Sequence, residues 1–264
     1  MLGALLAAAA TVSAASAPEL DIFLVPHTHC DAGWLWTVDS YFTTVHAKPS
    51  GEDTTHAAVR DTLTTVVRAL AENPTLRFNW AEIVFFEKWW GEQDATTQAT
   101  TRRLVESGQL AFVGGGWVQA DEVLTTASDQ IRQTTLGNEW LRETFGAAAR
   151  VRVGWQLDMF TGYSRATPAL WAMAGYDAMV VADHFLGTDK HEFIWAPSAS
   201  LAPNRSQMLV HSTVGHDCES SRSLCGFRSL TVAVQTRMWW TSASDSTTTC
   251  RPSRRPTSSS GRRR

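Results

Sequence analysis

Apolar residues fall into two recurring patterns along the chain, short continuous runs and helical spacings, and the two take turns. Ile22-Phe23-Leu24-Val25 is a run of the length and β-branched or aromatic character of a buried strand. From Ala57 to Ala71 the apolar positions Val59, Leu63, Val66, Val67 and Leu70 recur at helical spacing, and Asn73-Pro74 ends the segment. Leu76 to Trp80 then suits a strand and Ile83 to Trp90 a helix, followed by a helix over Thr97 to Glu106 with Gly108 placed to cap its end. Leu110 to Val113 predicts a strand closed by Gly114-Gly115-Gly116, and Ser128 to Phe145 the longest helix, stopped by Gly146. Val151 to Leu157 reads as a strand, Pro168 to Ala174 as a helix beginning with its proline, and Ala178 to Ala182 as a further strand.

This alternation predicts an α/β fold, a parallel sheet or barrel wrapped by helices. In such folds one rim collects the carboxyl ends of the strands, and binding sites are built there. His29 and Asp31, Glu82, Trp117, Asp158, and Asp183 with His184 all fall just past a predicted strand, so residues distant in sequence are expected to converge.

The densest chemistry follows the first strand: His27-Thr28-His29-Cys30-Asp31, then Ala32-Gly33-Trp34. Neutral imidazole and carboxylate are a common ligand set for zinc, and two-residue alternation would put His27, His29 and Asp31 on one face of an extended segment. Two readings stand open on spacing alone, a metal site and histidines satisfied by the core at a strand end.

Composition changes the picture little. A 264-residue chain with 44% apolar residues holds one sizeable core or part of a larger one. A net charge of −3 carries no nucleic-acid footprint. The 12 tryptophans are the unusual number; most are expected to fill the core, although a flat apolar face also packs against sugar C–H groups. Residues 1–17 read as a signal peptide, with the apolar run Leu2 to Val12 and the small-x-small sequences Val12-Ser13-Ala14 and Ala15-Ser16-Ala17, and the run is short for a membrane span. Asn204-Arg205-Ser206 is a glycosylation acceptor pattern, and Cys218 and Cys225 could close a small loop in an oxidising compartment.

Several ordered blocks carry a resemblance. Val25 to Phe42, reading VPHTHCDAGWLWTVDSYF, is similar to the amino-terminal signature of the glycoside hydrolase family 38 α-mannosidases, particularly the lysosomal type. Glu82 to Trp90, Gly115-Gly116-Trp117-Val118 with Asp121-Glu122, Thr135-Leu136-Gly137, and Arg152 to Phe160 resemble successive family blocks, spanning about residues 20 to 200. The resemblance implies a distorted seven-stranded β/α barrel-like domain, incomplete here, over residues 18–210. It implies a Zn2+ cofactor with His29, Asp31 and Asp158 as ligands, Asp158 also as nucleophile, Trp34 and Phe160 lining the substrate pocket, and His27 as a signature histidine outside the metal shell. The expected activity is zinc-dependent, retaining hydrolysis of α-linked mannose, with mannose-containing oligosaccharides or glycoproteins as partners and a lysosomal, vacuolar or extracellular location.

Departures from the family pattern are equally specific. Cys30 stands where the family carries an acidic or amide residue, and Met159-Phe160-Thr161-Gly162-Tyr163-Ser164 lacks the family's proline and histidine after the nucleophile. Asp183-His184 occupies the region of an expected arginine. Neither the acid/base aspartate nor the fourth ligand, a histidine, has a residue in matching context; His211 and His216 do not qualify. Asp121 and Glu122 are read as structural, capping the long helix that follows. Residues 211–264, rich in Ser, Thr and Arg and ending Gly261-Arg262-Arg263-Arg264, read as a low-complexity or misread tail too poor in apolar surface to fold. The chain as written is therefore expected to be inactive. Two other readings are an amidohydrolase-like barrel metal hydrolase, for which Lys190 is the sole candidate bridging lysine, and a degenerate, non-catalytic sugar-binding fragment.

Overall fold

The computed structural model describes residues 21–44, 46–47, 55–159, 162–182, 191–197, 206–213 and 230–235. In chain order the elements are β1 (Asp21–Pro26), α1 (Val38–Thr43), β2 (His46–Ala47), β3 (Thr55–His56), α2 (Val59–Glu72), β4 (Phe78–Trp80), α3 (Ile83–Gly91), α4 (Ala95–Glu106), β5 (Leu110–Phe112) and α5 (Ala127–Phe145). A 3-10 turn at Gly146–Ala149 leads to β6 (Val153–Gln156), α6 (Ala166–Met173), β7 (Ala178–Ala182), β8 (Glu192–Trp195), β9 (Met208–Thr213) and β10 (Leu230–Gln235).

The alternation of strands and helices expected from the sequence is present, and the fold is mixed α/β. β4 pairs with β5 in parallel, β6 with β7 and β7 with β9 also in parallel, while β8 joins β9 antiparallel. β1 pairs antiparallel with β10, and β2 with β3. Single links join the ladders: a parallel bridge between His27 and Asn79 with Asn79 Nδ2 donating to the Pro26 carbonyl at 3.2 Å, and Gly114 N donating to the Val153 carbonyl at 2.8 Å. These links bring the ends of β1, β4, β5 and β6 side by side. A single seven-stranded barrel ladder is not formed among the described residues. Instead there are four separate sheets, because β4 and β5 are only three residues long and their neighbours are met by isolated bonds.

The helices cover these strands with the apolar stripes that the spacing predicts. Val59, Leu63, Val66, Val67 and Leu70 of α2 are all buried, and α3, apolar nearly all round, buries Ile83, Phe85, Phe86 and Trp89. Full burial of each such side chain contributes roughly 1.5–3 kcal/mol. Phe86 is the hub of an aromatic cluster with Trp80, Trp89, Phe112, Trp140 and Phe145. A smaller cluster of Ala81, Val113, Trp155 and Leu157 lies under the strand ends.

Several boundaries differ from expectation for local reasons. α4 begins two residues early because Asp94 caps it, accepting from Thr97 N at 2.7 Å. Gly108 follows the last turn with φ +71° and donates its N–H to the Val105 carbonyl, closing the helix in a left-handed conformation suited to glycine. α6 begins at Ala166, so Pro168 is its third residue; an N–H there has no intrahelical acceptor in any case. α5 is capped by Thr126 and Asp129 in a reciprocal box, which overturns the capping role expected of Asp121 and Glu122. Within the stretch read from the sequence as a tail, Leu230–Gln235 pairs antiparallel along β1. Residues 1–17, Phe160, Asp183, His184, Lys190, Asn204, Cys218 and Cys225 lie outside the described residues.

Candidate metal centre

β1 stops at Pro26, and the next five residues run over the ends of β4 and β6. His27 turns into the interior, 1% exposed, edge-on to Trp155 at 4.8 Å between ring centres. Burial holds its pKa down at about 4, so the ring is neutral.

His29 is the centre of a carboxylate cluster. Its Nε2 lies 3.2 Å from Asp31 Oδ1 and 3.3 Å from Asp158 Oδ2, while its Nδ1 lies 3.7 Å from Glu82 Oε1. One atom each from His29, Asp31 and Asp158 lie within 4.8 Å of one another. Burial works against charging His29, but hydrogen bonds to Asp158 and Asp31 and the nearby Glu82 outweigh it and push its pKa up to about 10. Without a metal, the imidazolium is the cation that the carboxylates surround. Asp31 and Asp158 are each more than a third exposed, so the group has one open side.

Glu82 closes the other side. It precedes α3, yet its side chain makes no cap bond; the first N–H groups of that helix go to the Gly116 and Trp117 carbonyls at 3.2 and 3.0 Å. The carboxylate is thereby released to face His29. It is 1% exposed, and burial raises its pKa to about 7. The sequence places Glu82 after a strand but gives it no role. The available signal is an acid directly before the apolar run Ile83-Val84-Phe85-Phe86, where a charge is costly unless something faces it.

The remaining candidates divide. Trp34 follows Gly33, a turn residue at φ +98°, and is 66% exposed, unlike the buried Trp80, Trp89, Trp155 and Trp171. Trp117 packs against the main core. Cys30 is a free, partly buried thiol outside the three-residue group; burial, with Glu82 and Asp31 nearby, pushes its pKa well up and keeps it protonated. Glu122 is buried rather than exposed at a helix end, accepting from Gln156 Nε2 at 3.0 Å and Ser164 N at 2.5 Å.

The donor set suits a divalent metal. Around a tetrahedral ion with bonds of about 2.0–2.1 Å, neighbouring ligand atoms stand roughly 3.3–3.4 Å apart. Two of the three edges here, 3.2 and 3.3 Å, already have that length. An imidazole whose second nitrogen faces a buried carboxylate is also the usual setting of a metal-binding histidine.

Residues 19–247 match the family model described as the glycosyl hydrolases family 38 N-terminal domain, a longer stretch than the residues 20 to 200 spanned by the motif blocks. Lysosomal alpha-mannosidase of Felis catus is 40% identical over 201 residues, covering 72% of this chain and 19% of that protein. Lysosomal alpha-mannosidase of Homo sapiens is 38% identical over 213 residues, covering 78% of this chain and 20% of that protein. The chain therefore spans about one fifth of these relatives. The crystal structure of an alpha-mannosidase from Enterococcus faecalis V583 superposes with TM-score 0.54 at 17% identity, over 71% of this chain and 19% of that one, which shows a shared fold.

Proposed function

This chain belongs to glycosyl hydrolase family 38, and from that premise we propose that it is the amino-terminal part of a zinc-dependent, retaining α-mannosidase acting on mannose-containing glycans. The observation that carries the reading is the convergence of His29, Asp31 and Asp158 at near-tetrahedral spacing, from segments that follow two different strands. His29 Nε2 and one oxygen from each aspartate would hold the metal, and the buried Glu82 carboxylate, 3.7 Å from His29 Nδ1, would favour the tautomer that leaves Nε2 free for it. Bound there, zinc supplies a Lewis-acidic centre for adjacent sugar hydroxyls.

Asp158 has the second duty. Its carboxylate attacks the anomeric carbon, the glycosidic C–O bond breaks, an acid protonates the leaving oxygen, and water then releases the sugar with retained configuration. Trp34 offers an exposed ring face to the sugar, and by resemblance Phe160 lines the same pocket. The acid is the missing part: no residue of this chain stands in the matching context, and loss of a general acid removes about 10²- to 10⁴-fold in rate. The 264-residue chain by itself therefore does not turn over mannosides at an enzyme-like rate. The reading also includes a signal peptide over residues 1–17 and delivery to a lysosomal, vacuolar or extracellular compartment. No helix among the described residues is long and apolar enough to cross a membrane.

The test is release of aryl alcohol from an aryl α-mannoside with added zinc, alongside zinc-dependent binding of mannose. Zinc-dependent binding that is lost in Asp158→Asn, with negligible turnover, supports the proposal. Substantial Asp158-dependent turnover would show that an acid has been overlooked, with Asp121, Glu122 and Asp183 the first to replace. Absence of zinc-dependent binding would contradict the reading of the site.

A further inference from the structure

Asp158 lies in the connection between β6 and α6, with Gly162 at φ +100° near its far end. Gln156 and Ser164 flank it. Glu122, reaching in from the segment after β5, meets both: Oε1 accepts from Gln156 Nε2 at 3.0 Å and Oε2 from Ser164 N at 2.5 Å. Gln156 Nε2 also donates to the Ala120 carbonyl at 3.2 Å, tying the same segment to the end of β6. Tyr163 closes the loop from the other side, its hydroxyl 3.2 Å from the Gln156 carbonyl and 3.0 Å from Ala182 N, which donates to it.

Gln156 Nε2 and Ser164 N are both donors, and the Thr167 hydroxyl is a further hydrogen-bond partner of the same carboxylate, so only a side chain with two acceptor oxygens satisfies both loop ends together. An amide would turn an NH2 against one donor, and aspartate is one methylene short. Glu122 is 6% exposed, and a buried carboxylate is costly unless its oxygens are used. It is not needed as a helix cap, since Thr126 and Asp129 cap α5.

We propose that Glu122 is the positioning residue of the Asp158 loop: one oxygen on each end of the loop holds Asp158 against His29, so that metal binding depends on a carboxylate that touches no metal. This rests on the metal reading of the site given above. Supporting groups of this kind typically change metal affinity by about 10- to 100-fold, and a loop held at two points is the case where support matters most.

The experiment measures zinc affinity by chelator competition and backbone amide exchange on the full chain, for the unaltered protein, Glu122→Gln and Asp158→Asn. The expected result for Glu122→Gln is a cooperative melt, zinc affinity weaker by about 10-fold or more, and faster exchange at Ser164 while Val181 stays protected. Unchanged zinc affinity in the folded variant, even with a lower melting temperature, would overturn the proposal, because a merely structural residue does that. If the unaltered chain and Asp158→Asn bind zinc equally weakly, the metal reading fails; slow, Glu122-dependent exchange at Ser164 would then still support the clamp, and its absence would sink it. Should Glu122→Gln not fold, Gln156→Leu removes the Gln156 arm, with its bond to the Ala120 carbonyl, and leaves the Ser164 arm. A several-fold loss of zinc affinity there supports the clamp, and no loss refutes it.

Discussion

Gly137 sits in the middle of α5, where alanine ordinarily stabilises a helix by about 1 kcal/mol. Here the sign should reverse. A methyl group built on Gly137 would lie 2.2 Å from the Gly115 carbonyl oxygen and 2.8 Å from the Gly116 carbonyl carbon. Both are backbone atoms and cannot rotate away, so helix and loop must part by roughly 1 Å, an overpacking that costs about 1–3 kcal/mol. Separation also strains Trp117 N to the Gln133 carbonyl, 3.0 Å, and Asn138 Nδ2 to the Gly115 carbonyl, 3.2 Å, each worth about 1 kcal/mol. Against the propensity gain of about 1 kcal/mol, Gly137→Ala should destabilise by about 2–4 kcal/mol net. The damage should also reach the metal centre, because the same loop supplies the carbonyls that cap α3 and free Glu82 to face His29. Gly91→Ala is the control: nothing lies within 4 Å of its added methyl. Urea unfolding followed by far-ultraviolet circular dichroism measures both. Stabilisation by Gly137→Ala comparable to that of Gly91→Ala would refute the close backbone packing and the chain of support built on it.

Two further predictions concern the cluster itself. His29 is raised from 6.5 to about 10 in the metal-free protein, so its stabilisation is fully present below about pH 6.5 and lost as pH rises towards 10; Glu82, raised to about 7, acts in the same direction between its ordinary value and 7. The metal-free urea midpoint should therefore fall from pH 6 to pH 9, while zinc affinity rises as the metal displaces the His29 proton, and a midpoint that climbs with pH would contradict the described charge arrangement. Trp34→Ala should change stability by no more than about 0.5 kcal/mol yet weaken mannose binding to the zinc-loaded chain by about 2- to 10-fold, the range of an aromatic contact; an unchanged affinity by calorimetry would remove Trp34 from the subsite.

How much was legible in the sequence depended on how local the cause was. Helix α2 was readable because five apolar residues at one spacing need only a partner face, and all five are buried. That His29, Asp31 and Asp158 share one rim was readable because each follows a strand whose apolar run marks its end, whereas their selection from the other strand-end residues rested on the family resemblance. Glu82 and Glu122 were not readable in their roles. Each precedes a helix, where an acid is ordinarily a cap or a dipole partner, and only the structure shows that other groups cap those helices and leave the carboxylates to face inward. β8, β9 and β10 escaped because they are short apolar stretches set among Ser, Thr and Gly, and the partners that fix them as strands, β1 for β10 and β7 for β9, lie far off in the sequence.

The most direct test of the central claim is the X-ray absorption spectrum of the protein loaded with one equivalent of zinc. The account predicts a first shell of nitrogen and oxygen only, at about 2.0–2.2 Å, including one imidazole, and loss of one oxygen ligand in Asp158→Asn. A sulfur scatterer at about 2.3 Å would place the metal on Cys30 instead, and with it contradict the assignment of His29, Asp31 and Asp158 as the site.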